Sequence, residues 1–426
     1  MLKIFKVNVL HSLGPKKVEF LKNYFLIISR DGRILDLVEQ LPKEYFGIEV
    51  RDFTEYLIIS GFIDVHNHVP QFPVTGMTGM ELLPWLNNYV FPQENKFKDL
   101  DVAKEVSSLF FKSLLLNGTT FTVSYSNISK DSTDVVFSEA KKSGIRAMIG
   151  KVMMDQNSPD FLIENMENSI SDSVELIKKW HKCNSKIEYV LTPRFAITCT
   201  FELMKKISEI QFKYDTYVQS HLSENQNEVE TTLKLFPGFD NYSKIYDRAG
   251  LLNEKSIMAH CIYLSDEEKK MIKKHKTLIA HCPSSNRFLE SGIMASKSYI
   301  DDFQRLALGT DVAGGYSISI FNEMREALEN SKLLRHFNSE NKEILSVEEA
   351  FYMATLGGAE GLGKGNDLGN IQKGKYADFL VLDYMKIEPF RNISDEMDSI
   401  EILSKIIYRG DYSCIKNVYV AGEVLV

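Results

Sequence analysis

Five of the nine histidines in this chain of 426 residues lie in short apolar runs. His66 and His68 stand one residue apart in GFIDVHNHVPQ. His221 lies in TYVQSHLS, His260 in SIMAHCIY and His281 in TLIAHCP. A carboxylate, Asp311, sits in a further run, LALGTDVA. Three neutral imidazoles and a carboxylate suit a borderline divalent ion, zinc or iron. The set that offers them is His66, His68, His221 and Asp311. If a coordination position is left for water, such an ion is catalytic rather than structural. It lowers the pKa of that water from about 15.7 towards 7, which makes hydroxide available at neutral pH. Each sign is weak alone. An HxH pair is often incidental, an aspartate in GTD is often a turn or cap residue, and a lone His281 is as often a hydrogen-bonded core histidine. The weight comes from their falling together on runs of one kind.

Those runs must be positioned by something. Eight recur, at 62–69, 119–125, 146–154, 186–193, 216–223, 256–263, 277–283 and 306–313. Longer amphipathic stretches separate them, at 101–116, 131–143, 163–181, 201–212, 224–235, 265–275 and 295–304, and another at 318–337 follows the last. Strand–helix alternation of this kind predicts a parallel sheet. Eight units in about 300 residues predict a closed (β/α)8 barrel, a TIM-like fold whose chemistry lies at the C-terminal ends of the strands. The polar residues fall there: His66 and His68 on run one, Arg194 and Phe195 after run four, and His221 and Glu224 at run five. His260, His281 and Asp311 follow on runs six, seven and eight. Side chains two apart on a strand share a face. His66 and His68 therefore point together into the barrel mouth and Asn67 points away. If His260 and His281 face the axis, their neighbours Cys261 and Cys282 pack outward as small apolar residues. His11, His181, His275 and His336 fall in segments that read as helical or surface-like.

Both ends of the chain read as β. KIFKVNVL is one strand, and YFLIIS and RILDLV flank the turn dipeptide Asp31-Gly32. ADFLVLD is another, and NVYV and EVLV flank Ala421-Gly422. The expected organisation is a small β-sandwich domain from residues 1–60 and 367–426, with the barrel over 61–366.

Composition narrows the classes. The net charge of −8 opposes broad phosphate-driven nucleic-acid binding. No apolar run approaches the roughly 20 residues of a membrane span. Lys3 and Lys6 interrupt any signal-peptide core. Five scattered cysteines without CxxC spacing argue against a disulfide framework. The expectation is a cytoplasmic protein bound to neither nucleic acid nor membrane.

At this point the sequence resembles the amidohydrolase superfamily and, within it, the guanine deaminase family. The motifs are DVHNHVPQFP (64–73), LPWLNNYVFPQE (83–94), LNGTTFT (116–122), TPRF (192–195) and QSHLSEN (219–225). MAHCIYLS (258–265), AHCPSSN (280–286), LGTDVAGG (308–315) and ATLGGAEGLG (354–363) complete them. Ser60 stands where the family usually has proline, and Asn67 where an apolar residue is usual. The resemblance implies guanine + water → xanthine + ammonia, with one Zn2+ per subunit (Fe2+ being compatible) and a homodimer. It implies that His66, His68, His221 and Asp311 ligate the metal, whose hydroxide attacks C2. It further implies that Glu224 shuttles protons, that Asp311 also accepts the water proton, and that His260 orients the water and the developing oxyanion. Gln71, Arg194 and Phe195 would contact the purine. Trp85, Tyr89 and Phe91 would form an apolar lid, although an aromatic group at such spacing is more often core.

Other readings are a related deaminase acting on a modified guanine, another purine or a triazine, and an inactive scaffold of the same fold. An amide hydrolase with two metals bridged by a lysine on strand four fits less well, because run four ends in TPRF. The small zinc deaminases with HxE…PCxxC are excluded, since HCPSSN lacks the second cysteine.

Overall fold

A computed structural model describes residues 2–77, 80–302, 305–337, 343–393 and 397–426. Eight parallel strands carry the centre of the molecule: β5 (Phe62–His68), β6 (Thr119–Tyr125), β7 (Arg146–Gly150), β9 (Ile187–Pro193), β10 (Tyr217–Leu222), β11 (Ser256–His260), β12 (Leu278–His281) and β13 (Leu306–Leu308). They are hydrogen-bonded in that order, and the two-residue strand β8 (Val152–Met153) pairs with β9. Every one of the eight expected runs is a strand. The ladder closes at its ends, where the Asp311 amide donates to His66 O at 2.8 Å and the His68 amide to Val312 O at 2.9 Å. Close approach at this seam requires glycine at 309, since a Cβ there would lie 2.7 Å from the Cβ of His66.

The strands supply the barrel interior, with Ile63, Val65, Phe121, Val123, Met148, Val190, Ile257 and Ala280 in one buried cluster. Ala359, Leu362 and Leu368 join that cluster. Helix Leu356–Gly361 thus plugs the barrel, with Gly358 against Ile63 and Gly361 against Leu278, at the start of their strands. Helices cover the outside. Leu100–Leu116, Lys130–Ser143, Met166–Trp180, Phe201–Tyr214, Gln226–Leu235, Asp266–His275 and Ile320–Phe337 match the amphipathic stretches expected of them. Their starts are chemically marked. Asp99, Ser129, Asn165, Thr200, Asn225 and Ser265 each accept backbone N–H groups of the first turn. The stretch expected at 295–304 is the short helix Ser296–Asp301, and residues 303–304 lie outside those described. Helix Tyr242–Ala249 has no counterpart in the sequence reading.

The chain ends build one further sheet. It contains β1 (Lys3–Gly14), β2 (Lys17–Ile28), β3 (Ile34–Val38), β4 (Val50–Ser60), β14 (Phe379–Leu382), β15 (Ile415–Val420) and β16 (Glu423–Val424). Its order is β16-β15-β14-β4-β1-β2-β3, so N- and C-terminal segments meet at the β4–β14 pair. In hydrogen bonding the expected small domain is a single seven-stranded sheet. The β15–β16 turn needs positive φ at both Ala421 (51°) and Gly422 (71°). His11 departs from the sequence reading. It is buried in β1, with Nε2 3.1 Å from Glu19 Oε2, and burial lowers its pKa although Glu19 opposes this. Among the described residues no helix is long and apolar enough to cross a membrane.

Asp378 joins the sheet to the barrel. Its carboxylate accepts from Arg146 Nε of β7 at 2.6 Å and from the Ala421 amide at 2.7 Å, and its carbonyl accepts from the Gly61 amide. Both members of the pair are buried. Breaking such a pair leaves an uncompensated charge, at a cost of about 3–5 kcal/mol. Asp378→Ala should therefore lower the unfolding free energy, measured by urea denaturation, by an amount of that order. Lys206→Ala, which breaks an exposed pair with Glu209, should change stability by less than about 0.5 kcal/mol. Equal shifts in the two variants would refute this account.

Candidate active site

His66 and His68 end β5, His221 lies near the end of β10, and Asp311 follows β13. Their donor atoms all lie within 4.8 Å of one another, and all four residues are buried. His66 Nε2 is 3.1 Å and His68 Nε2 3.2 Å from Asp311 Oδ1, and the Nε2 atoms of His68 and His221 are 3.3 Å apart. The His221 Nδ1–H donates to Arg194 O at 2.6 Å. A carbonyl only accepts, so Nδ1 carries the proton and Nε2 presents its lone pair to the cluster. Apart from that approach to Asp311, neither nitrogen of His66 has a hydrogen-bond partner among the described residues. Burial lowers the pKa of all three imidazoles, that of His68 to about 4. Burial alone would raise Asp311, yet the facing His66 and His68 hold it well below the usual carboxylate range. Three neutral imidazoles with converging lone pairs around an ionised carboxylate are a donor set that fits a zinc-like divalent ion.

The backbone turns sharply here. Ser223, His260, Cys261 and Asp311 all adopt positive φ, between 47° and 70°. Left-handed non-glycine residues are uncommon and gather at functional sites. The turn brings His260 to the same cleft. His260 Nε2 lies 3.4 Å from Glu224 Oε2 and 3.9 Å from Asp311 Oδ2, and Nδ1 pairs with Asn286 Oδ1 at 2.8 Å. Cys261 packs outward in the same buried cluster as Met258, as expected of it, but through the positive φ of His260 and Cys261 rather than through strict alternation. Glu224 is buried, and Ser291 Oγ donates to its Oε1 at 3.2 Å. Burial, reinforced by Asp311 and Glu228, raises its pKa well above the ordinary value. Glu228 also accepts the Glu224 amide at 2.7 Å and so fixes the start of this loop.

The cleft is lined by His68, His221, Glu224, His260 and Asp311 together with Gln71, Arg194 and Phe195. Arg194 and Gln71 are nearly inaccessible, and Phe195 is 6% exposed. The lid candidates separate. Trp85 lines the cleft beside Leu82 and Leu86. Tyr89 does not line it. Phe91 lies behind Arg194, whose guanidinium sits 5.2 Å from the ring centroid. His281 is buried with neither nitrogen partnered among the described residues, burial takes its pKa to about 3, and it does not line the cleft.

Several neighbours were not singled out in the sequence. Ser285 Oγ donates to Asp311 Oδ2 at 2.6 Å, and Asn286 holds His260. Both belong to AHCPSSN, where polar residues straight after a strand end were the available signal. Glu94, on the short helix Phe91–Lys96, joins Gln71 and Arg194; it closes the motif LPWLNNYVFPQE, but its local pattern assigned it no role.

The amidohydrolase family model matches residues 57–425. The guanine deaminase of Dictyostelium discoideum is 38% identical over 99% of this chain and 98% of its own length. That of Escherichia coli is 36% identical over 93% of this chain and 91% of its own. The crystal structure of guanine deaminase from C. acetobutylicum with guanine bound in its active site superposes with a TM-score of 0.95 at 37% identity, covering both chains fully.

Proposed function

The chain belongs to the amidohydrolase family, and from that membership we propose that it is a zinc-dependent guanine deaminase. The reaction is guanine + water → xanthine + ammonia. One observation carries the reading: a three-histidine, one-aspartate cluster, the buried carboxyl of Glu224 and the Arg194–Gln71 wall open onto a single cleft. His66, His68, His221 and Asp311 would hold a divalent ion, which would act as a Lewis acid and make water nucleophilic at neutral pH.

The chain's residues do the rest. Water adds to C2 of the ring, and Asp311 accepts its proton. Glu224 gives its proton to the ring nitrogen, takes the proton of the new C2 hydroxyl and passes it to the amine, so that the C2–N bond breaks, the C2 carbonyl forms and ammonia leaves; the proton held by Asp311 then returns to Glu224. The position of Glu224, 3.4 Å from His260 Nε2 and beside Asp311, supports that role. His260, oriented by Asn286, stabilises the oxygen as charge builds on it. Arg194 offers a planar fork of donors to the purine carbonyl, Gln71 a donor and an acceptor to the adjacent edge, and Phe195 a stacking face. Leu82, Trp85 and Leu86 exclude water from the cleft. Residues 61–366 are the catalytic domain and 1–60 with 367–426 the small discontinuous one. We place the enzyme in the cytoplasm, on the composition of the chain, and as a homodimer, on family grounds.

The test is ammonia release from a panel of purines, pterins and triazines, with metal content measured on the same preparation. Guanine should be turned over fastest, with about one metal ion per chain, as the four-residue donor set requires. Inert guanine beside rapid turnover of another base would replace this reading.

A further inference from the structure

Glu94 is buried yet does not line the cleft. Its two carboxylate oxygens serve different donors. Oε2 accepts from Arg194 Nη1 at 2.7 Å, and Oε1 accepts from Gln71 Nε2 at 3.0 Å. Its own carbonyl accepts from Asn127 Nδ2 at 2.8 Å, which anchors the helix. Gln71 Oε1 accepts from the Ala313 amide at 3.4 Å, so both ends of that amide are assigned. Arg194 is confined between Glu94 and the Phe91 ring.

Resting on the guanine deaminase reading, we propose that Glu94 is a positioning residue that determines specificity, selecting 6-oxopurines over bases lacking that oxygen. The carboxylate accepts at both oxygens and donates at neither. It thereby sets which end of the Gln71 amide meets the base and holds Arg194 where a carbonyl must lie. It also neutralises a buried guanidinium that would otherwise compete for any acceptor in the cleft.

Glutamine at this position keeps the shape but not the pattern. Its amide has one acceptor and one donor end. With its oxygen turned to the arginine, its NH2 group faces Gln71 Nε2, donor against donor. Gln71 must then flip or lose the contact, and the edge offered to the base inverts.

The test compares guanine with 2-aminopurine, which carries the C2 amine but no 6-oxygen. In E94Q, kcat/KM for guanine should fall about tenfold to a hundredfold, the worth of one or two unsatisfied buried polar groups. The loss should appear mainly in KM. The guanine to 2-aminopurine ratio should fall about tenfold, with metal content unchanged. A merely structural role would lower both substrates together and leave that ratio alone, which would overturn the proposal. If E94Q does not fold, Glu94→Asp keeps both acceptors on a shorter arm. It should raise KM while retaining guanine preference, and loss of preference there would equally refute the idea. Wild-type protein inert on guanine would sink the functional reading instead. Active wild type with an E94Q of unchanged KM and ratio would sink only this inference.

Discussion

Glu224→Gln should lower kcat by about 10²–10⁴, the range that positioned proton transfer contributes, while metal content stays at the wild-type level. Glu224 is outside the four-residue donor cluster. Its Oε1 accepts from Ser291 Oγ, a bond that a glutamine oxygen can equally accept. The Glu228 carboxylate fixes the backbone at 224 and 225 and is untouched by the substitution. Shape, anchoring and metal are thus retained, and only the capacity to take up and release a proton is removed. Deamination needs that capacity more than once, for the ring nitrogen and for the leaving amine. The measurement is single-turnover xanthine formation with metal analysis on the same sample. Activity within a few-fold of wild type would remove Glu224 from the mechanism.

His221→Ala should lose metal and activity together. His221 is the proposed ligand whose tautomer is set from outside the cluster, by the Arg194 carbonyl. Loss of even an outer hydrogen-bonding partner typically costs 10–100-fold in metal affinity, and loss of the ligand itself should exceed that. The substitution also leaves a void beside Tyr125 and His68, whose rings lie 4.9 Å and 5.2 Å from that of His221. Competition with a chelator gives the affinity, and addition of excess zinc asks whether turnover returns. A variant that held its metal like wild type yet failed to turn over would assign His221 a different role.

The barrel was legible because two periodicities alternate in the sequence, short apolar runs and longer amphipathic stretches. The cluster was legible because imidazoles are unusual in such runs and these recur at their ends. Local pattern stops informing where the chain leaves regular structure. His260 and Cys261 both take positive φ, so strict alternation does not describe their directions. The backbone of His11 lies in a strand that neighbours on both sides bury, and nothing in HSLG announces this. Glu94 is the clearest case. Its partner Arg194 is 100 residues further along, and on its own helix it reads as an ordinary charged residue between Gln93 and Asn95. Aromatic residues in LPWLNNYVFPQE look alike in sequence. Their separation into a cleft wall at Trp85, a support for Arg194 at Phe91 and a bystander at Tyr89 depends on the turn through Leu86–Val90.

The meeting of β4 with β14 has a consequence for how the molecule is made. β4 passes into β5 through Gly61 alone, so the strand bearing His66 and His68 hangs directly from the terminal sheet. That sheet is incomplete until residues beyond 379 have been synthesised, because β14 lies between β4 and β15. On a ribosome, β4 must wait through more than 300 residues of translation for β14, whereas β5 meets its own neighbour β6 early. The seam to Asp311 likewise joins segments made early and late. A nascent chain can therefore pair its barrel strands before the terminal sheet is whole, and a product truncated before β14 emerges with β4 unpaired on that edge.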